Sequence, residues 1–260
     1  MTDPVRILAV ANQKGGVGKT TTAVNLGAAL AERGHMVLLV DLDPQGNAST
    51  GLGIDHQHRQ KTTYDLLFEG ASASEILCAT STPGLSIIPA NADLASADIA
   101  MARIDNHTYL LRNALRDPAL DGFAYILIDC PPSLSLLTIN AMAAADAVIV
   151  PLQAEFYALE GLSHLMLTLR EVRSRANPDL RIAGIVLTMA DNRNNLSQQV
   201  EADARATMGD LVFQTVIPRN VRLSEAPSHA RPILDYDPTS RGSEAYRRLA
   251  AELDSRHPKA

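Results

Sequence analysis

There is no tryptophan in these 260 residues, aromatic side chains make up only 4%, and cysteine occurs twice. The 46% apolar share is therefore supplied mainly by Ala, Leu, Ile and Val, which suits a sheet covered on both faces by small-residue helices. Cys78 and Cys130 are far apart and form no CxxC pattern, which argues against a disulfide framework or a zinc site. Both read as small buried hydrophobes in a chain suited to a reducing cytoplasm. No apolar run approaches the roughly 18 residues of a membrane span, and no charged stretch leads into an apolar one at the N-terminus as in a signal peptide. Linkers, internal repeats and low-complexity tracts are missing too, so residues 1–260 read as one large α/β domain.

Positive charge is scarce overall, with a net charge of −6, and this argues against a generally basic nucleic-acid binder. Its distribution is uneven. Residues 1–169 hold 9 Lys/Arg against 17 Asp/Glu, whereas residues 170–260 hold 14 against 12, and 13 of those 14 cations are Arg. A basic face is thus available in the last third of an acidic protein.

What the chain does contain is a near-unbroken alternation of strand-length apolar runs and helical patterns. Strands are predicted at 6–11, 36–40, 85–89, 125–129, 147–151, 182–188 and 212–217, with helices at 20–33, 133–144, 158–175, 195–208 and 240–255. Aliphatic runs without polar alternation indicate strands buried on both faces, hence a mostly parallel sheet with right-handed crossovers. The least regular stretch, 51–82, includes a polar patch at 55–63 read as an exposed loop. Its His56 and His58 lack an obvious third metal ligand.

The sharpest motif is Lys14-Gly15-Gly16-Val17-Gly18-Lys19-Thr20, between the first strand and first helix. Glycines allow a backbone curl whose N–H groups face phosphate oxygens, and the helix N-terminus adds partial positive charge. Lys19 then reaches the β- and γ-phosphates, and the Thr20 hydroxyl is placed to ligate Mg²⁺. The usual GxxxxGK[ST] pattern would put glycine at position 13, where this chain has Gln13, and an additional lysine stands at position 14. Asp41 and Asp43 follow the second strand (VLLVDLDPQGN), and Asp129 ends another (YILIDCPPS). Carboxylates at strand C-termini sit where ligands bind in open α/β sheets, able to hold Mg²⁺ or orient water; an Asp capping the next helix is the plainer reading of each.

With Lys14 in place the sequence resembles the deviant Walker A ATPases, the family of ParA, MinD and the nitrogenase iron protein. Within it, ANQKGGVGKTTTAVNLGAALA, VLLVDLDPQGNASTGLG, ILIDCPPSLSLLTINAMAAADAVIVPLQAEFYALEGL and IPRNVRLSEAPSHARPILDYDPTSRGSEAY are similar to the chromosomal ParA/Soj group along nearly the whole chain. The chain begins close to its first strand, as do short ParA proteins without an N-terminal helix-turn-helix domain. The resemblance implies a single P-loop NTPase domain that binds ATP and Mg²⁺ through residues 13–21, Thr21 included. It implies that Lys14 crosses a homodimer interface to the partner's nucleotide, that Asp43 rather than Asp41 is needed for hydrolysis, and that Asp129 is the Walker B carboxylate. Pro218 and Asn220 match a segment contacting the adenine. Cations in the segments matching Arg193 and 219–222, and in the final helix, would contact double-stranded DNA without sequence preference, which nominates Arg193, Arg219, Arg222, Arg241 and Arg247. The implied cycle is ATP-dependent dimerisation, DNA binding, and release when a ParB-like partner stimulates an otherwise slow hydrolysis, in the cytoplasm on a bacterial nucleoid.

Two departures stand out: Ala230-Arg231 replaces a common Gly-Lys, and Ala190 replaces a frequent aromatic beside Asp191. Alternatives from the same superfamily are a MinD-like membrane-positioning ATPase, an iron–sulfur redox protein, and a ParA-like ATPase that positions a protein assembly. The ending AAELDSRHPKA has too little apolar surface for a membrane-binding amphipathic helix, and Cys130 has no suitably placed companion for a cluster. Chromosome and plasmid cargo are not distinguished, although the chromosomal group is the better match.

Overall fold

A computed structural model describes residues 5–155, 158–191 and 193–256. Eight strands form one sheet: β1 (Arg6–Val10), β2 (Val37–Asp41), β3 (Cys78–Ala79), β4 (Leu85–Ile88), β5 (Tyr125–Asp129), β6 (Ala147–Gln153), β7 (Arg181–Ala190) and β8 (Val212–Pro218). Their spatial order is β3-β4-β2-β5-β1-β6-β7-β8, and every pairing is parallel except β3 with β4. All seven sequence-predicted strands are present, and the addition is the two-residue edge strand β3.

Alternate residues of each strand enter opposite layers, which is why the runs lack polar alternation. Leu8, Val10, Leu39, Leu127 and Ile149 pack with the helices Lys19–Glu32 and Arg241–Arg256. Ala9, Val40, Ile128 and Val150 pack on the other face with the helices Leu136–Ala144, Ala158–Arg175 and Asn195–Met208. Gly184 in β7 leaves room for Phe213, since a Cβ there would come within 2.4 Å of the Phe213 Cε2.

Two expectations need correction. Cys130 is fully buried as expected, but Cys78 on the short edge strand is only half-buried. The 55–63 patch is not a simple exposed loop. His56 and His58 do lie at the surface in a 3₁₀ turn, while Arg59, Thr62 and Thr63 are buried. The polar side chains turn inward because unpaired carbonyls of neighbouring loops need donors. The Thr63 hydroxyl, for example, donates to the Asp41 and Pro89 carbonyls at 2.8 and 3.1 Å.

Candidate nucleotide site and a neighbouring basic surface

Register alone assembles the carboxylates. Val10 and Asp41 both pair with Asp129 across the sheet, so the P-loop after β1 and the acidic ends of β2 and β5 emerge side by side. The loop curls through Gly16 (φ 75°) and Gly18 (φ 88°), the left-handed region that favours glycine, before helix Lys19–Glu32 begins. Neighbouring segments fix it. The Asn12 amide donates to the Pro151 carbonyl at 2.7 Å, the Lys14 N–H to Asn12 Oδ1 at 3.1 Å, and the Thr188 hydroxyl to the Val17 carbonyl at 2.8 Å. Gln13, Gly15 and Gly16 are exposed, while Thr20 and Thr21 are half-buried at the start of the helix.

The two lysines differ in setting. Lys19 is buried, and its ammonium donates to the Lys14 carbonyl at 3.0 Å. Burial holds its pKa below the ordinary value, against the opposing pull of Asp129, Cys130 and Asp43. Lys14 is half-exposed and forms an ion pair with Glu155 of the same chain, in the segment following β6.

The three aspartates also differ. Asp41 is fully buried, with its oxygens already engaged: Oδ1 accepts from the Asp43 N–H at 3.1 Å, and Oδ2 from the Ser49 N–H at 2.9 Å and hydroxyl at 2.7 Å. Burial pushes its pKa up to about 6, partly offset by those bonds. Asp43 uses one oxygen to accept from the Gln45 N–H at 2.9 Å. Asp129 is fully buried and neither carboxylate oxygen has a hydrogen-bond partner. Desolvation first, then the Asp41 charge, raises its pKa well above its ordinary value, and nearby Thr20 and Lys19 only partly counter this. An orphaned buried carboxylate beside a hydroxyl and an ammonium is the chemistry of a site completed by a cation. Among the described residues no three His, Cys, Asp or Glu side chains form a metal cage. A carboxylate with a hydroxyl beside it is a donor set suited to a hard cation such as Mg²⁺, which is typically held by one or two carboxylates plus phosphate oxygens and water.

A cavity of about 430 Å³ adjoins the P-loop, lined by Gly18 and Thr21 on one side and Pro218, Arg219 and Asn220 on the other. Its wall includes Met189, whose φ of 53° is unusual for a non-glycine residue. Asn220 also caps the short helix Val221–Glu225, accepting from the Arg222 N–H at 2.8 Å.

Next to it lies a depression of about 740 Å³ that shares Pro218 and Arg219 with the first cavity. Arg193, Arg219, Arg241 and Arg248 line it together with Asp191 and Glu244. Three of the five nominated arginines thus converge. Arg222 does not line it and pairs with Glu225 at 2.9 Å and Asp237 at 3.6 Å, while Arg193 in the lining pairs with Asp191 at 3.1 Å. Arg247 is turned away, held by both Glu32 oxygens at 2.6 and 2.9 Å. Arg248 was missed by the sequence reading, yet its spacing of seven from Arg241 places both on one helix face. Ala190 lines the depression without a ring, and Ala230 adopts φ 54°, the conformation for which the more common glycine is suited.

A central parallel sheet with a phosphate loop after β1 and acidic residues ending β2 and β5 defines a P-loop NTPase. The sequence profile of the AAA-domain family matches residues 5–182. The chromosome partitioning protein ParA of Caulobacter vibrioides is 56% identical over 255 residues, covering 98% of this chain and 96% of the relative. The sporulation initiation inhibitor protein Soj of Bacillus subtilis is 52% identical over 248 residues, covering 95% and 98%. Among solved structures, cobyrinic acid a,c-diamide synthase from Mycobacterium smegmatis with bound ADP and magnesium superposes with a TM-score of 0.82 at 40% identity, covering 95% and 93%. The chain belongs to the ParA/Soj family of chromosome-partitioning ATPases.

Proposed function

We propose that this protein is a nucleotide-controlled DNA switch. ATP binding forms a sandwich homodimer, the dimer holds double-stranded DNA through phosphate contacts, and a ParB-like DNA-binding protein triggers hydrolysis and release. The observation that carries this reading is the shared wall, Pro218 and Arg219, between the cavity beside the P-loop and the arginine-lined depression. A segment facing both a nucleotide and DNA phosphates offers a direct way for one to bias the other.

In this reading the ligand's phosphates draw Lys19 from the Lys14 carbonyl. Lys14, accessible beside Glu155, reaches the nucleotide of a second copy. Thr20 and Asp129 would hold Mg²⁺, with Asp43 nearby, and the ion would supply charge stabilisation to the phosphate oxygens. Asp43 orients the water that attacks the γ-phosphorus, giving ADP and phosphate. Asp41, with its oxygens committed to backbone and Ser49, serves to shape the Asp43 turn. Pro218 and Asn220 line the base pocket. Arg193, Arg219, Arg241 and Arg248 supply sequence-tolerant phosphate contacts, placing the protein on the nucleoid in the cytoplasm. No helix among the described residues is long and apolar enough to cross a membrane, and residues 257–260, the end of the C-terminal segment weighed for membrane binding, lie outside them.

The test is steady-state ATP hydrolysis with DNA and the cognate ParB-like protein added separately and together. Slow turnover that rises at least tenfold only with the partner supports the switch, by comparison with the roughly 10³-fold or larger effects known for stimulated phosphoryl transfer. Fast turnover of the isolated protein, insensitive to both additions, would sink it.

A further inference from the structure

Arg59 is a buried cation with no role in the nucleotide chemistry described above. It is 5% exposed, and among the described residues no carboxylate forms an ion pair with it. Its guanidinium is instead spent on two loops. Nε and Nη2 both donate to the Ile54 carbonyl, at 3.0 and 2.7 Å, and Nη2 also donates to the Thr50 hydroxyl at 2.7 Å. Nη1 donates to the Ala90 carbonyl at 3.1 Å, just beyond β4. Burying a guanidinium without a carboxylate is costly, and an apolar side chain of similar volume would fill the space more cheaply. The geometry it imposes is therefore the place to look for its use.

That geometry concerns the turn carrying Asp43. The turn closes through the Gly46 N–H and the Asp43 carbonyl at 2.8 Å. Gly46 has φ 61°, and a Cβ on it would stand 2.5 Å from Arg59 Nη1 and 3.0 Å from the Ala90 carbonyl oxygen. The guanidinium thus lies directly against the turn, three residues after Asp43. From the other side Asp41 Oδ1 accepts from the Asp43 N–H, and the Ser49 hydroxyl that donates to Asp41 accepts from the Ala90 N–H at 3.0 Å. One side of the turn is thus bonded to Ala90 through Asp41 and Ser49. The other packs against the guanidinium that holds the Ala90 carbonyl and is bonded to it through the Thr50 hydroxyl, which donates to the Gly46 carbonyl at 3.0 Å.

We propose that Arg59 is a positioning residue for ATP hydrolysis, a clamp that holds the Asp43 turn against Ala90 so that the Asp43 carboxylate meets the attacking water in register. The proposal rests on the reading of Asp43 given above. Among the described residues Arg59 makes no hydrogen bond or ion pair with the P-loop or with any residue assigned to phosphate or metal, so its loss acts on the hydrolytic step and leaves nucleotide binding in place. A misplacement of about 1 Å at a reacting centre costs on the order of 100-fold in rate.

The experiment compares Arg59→Lys, Arg59→Met, Thr50→Val and Asp43→Ala with the wild type in the full chain. Three quantities are read: the single-turnover rate of ATP hydrolysis with DNA and the stimulating partner, the affinity for a fluorescent ATP analogue with Mg²⁺, and the melting midpoint. Arg59→Lys keeps the charge but loses the planar fork. Its hydrolysis should fall roughly 10- to 100-fold while analogue affinity stays within about threefold. Thr50→Val removes one Arg59 acceptor and the hydroxyl's own bond to the Gly46 carbonyl, which together link the clamp to the turn, and should give a smaller loss in the same direction. If Arg59→Met does not fold, these two milder variants carry the test. A folded Arg59→Lys protein with wild-type hydrolysis overturns the proposal, as does a parallel fall in rate and affinity, which would make Arg59 purely structural. Asp43→Ala separates the two levels. Retained hydrolysis there overturns the underlying assignment and the clamp with it, whereas an inactive Asp43→Ala beside a normal Arg59→Lys overturns the clamp alone.

Discussion

Replacing Asp129 by Asn should make the nucleotide-free, metal-free protein more stable. The wild-type carboxylate is fully buried, has no hydrogen-bond partner on either oxygen, and faces Asp41 in register on the next strand. A buried group left unsatisfied costs about 1–3 kcal/mol, more when charged. Asn keeps the shape and removes the charge while still burying a polar amide, so only the extra cost of the charge is recovered. That is a gain on the order of 1 kcal/mol where the carboxylate is ionised, or roughly 2–4 °C per kcal/mol for a domain of this size. The sign with pH follows from the upward pKa shift. A raised carboxylate pKa means that ionisation destabilises the fold, so the penalty is full above the folded pKa and vanishes below the unfolded value of 3.8. The advantage of Asn should therefore grow as pH rises. Saturating Mg²⁺ and ATP should reverse the order, because ligand stabilisation depends on affinity for the native state and the variant lacks the carboxylate that completes the cation site. Differential scanning fluorimetry in chelator and in Mg²⁺–ATP measures both. A variant less stable than wild type in chelator, or one with the full ligand-induced shift, would refute the reasoning.

Lys14→Ala in an Asp43→Ala background should remain monomeric with ATP where Asp43→Ala alone dimerises, as read by light scattering after gel filtration; equal dimerisation would exclude the cross-interface role. Asp254 accepts from Arg33, His35 and Tyr125 at 2.7, 3.2 and 2.6 Å. Burial pushes its pKa up, but those bonds outweigh it and the net shift is downward. Its contribution is thus present above the unfolded 3.8 and lost as pH falls through the lower folded value. Asp254→Asn should cost about 1–2 kcal/mol at neutral pH in a urea melt and much less in acid, where a pH-independent penalty would contradict the assignment. Gly184→Ala, whose new methyl would meet the Phe213 ring, should lose about 1–3 kcal/mol in the same assay, and an unchanged midpoint would show that the strand yields freely.

Strands and the phosphate loop were legible because each rests on short-range pattern. Aliphatic runs such as YILID and VLLVD report burial on both faces, and the acidic residues ending them mark the edge where the loops gather. What the sequence could not show depends on partners far along the chain. Lys14 meets Glu155, and Arg247 meets Glu32 instead of lining the basic depression. Only the family resemblance favoured Asp43 over Asp41 in VDLDP; the physical difference, Asp41 engaged by Ser49 and the Asp43 N–H while Asp43 keeps a freer oxygen, depends on the folded turn. Arg59 sits in a polar stretch without periodicity, so nothing local marks it as buried; its acceptors at Ile54 and Ala90 belong to backbone.

The central claim is tested most directly by binding to random-sequence duplex DNA with ATP, ADP and no nucleotide, across a range of salt. Wild type and Asp43→Ala should bind only with ATP. Charge removal at Arg193, Arg219, Arg241 or Arg248 should weaken binding and lower the slope of log affinity against log salt by about 0.9 for each phosphate no longer neutralised. Arg247→Ala, whose guanidinium is held by Glu32, should leave that slope unchanged. Binding that ignores the nucleotide, or that survives removal of all four lining arginines with its slope intact, would contradict the account.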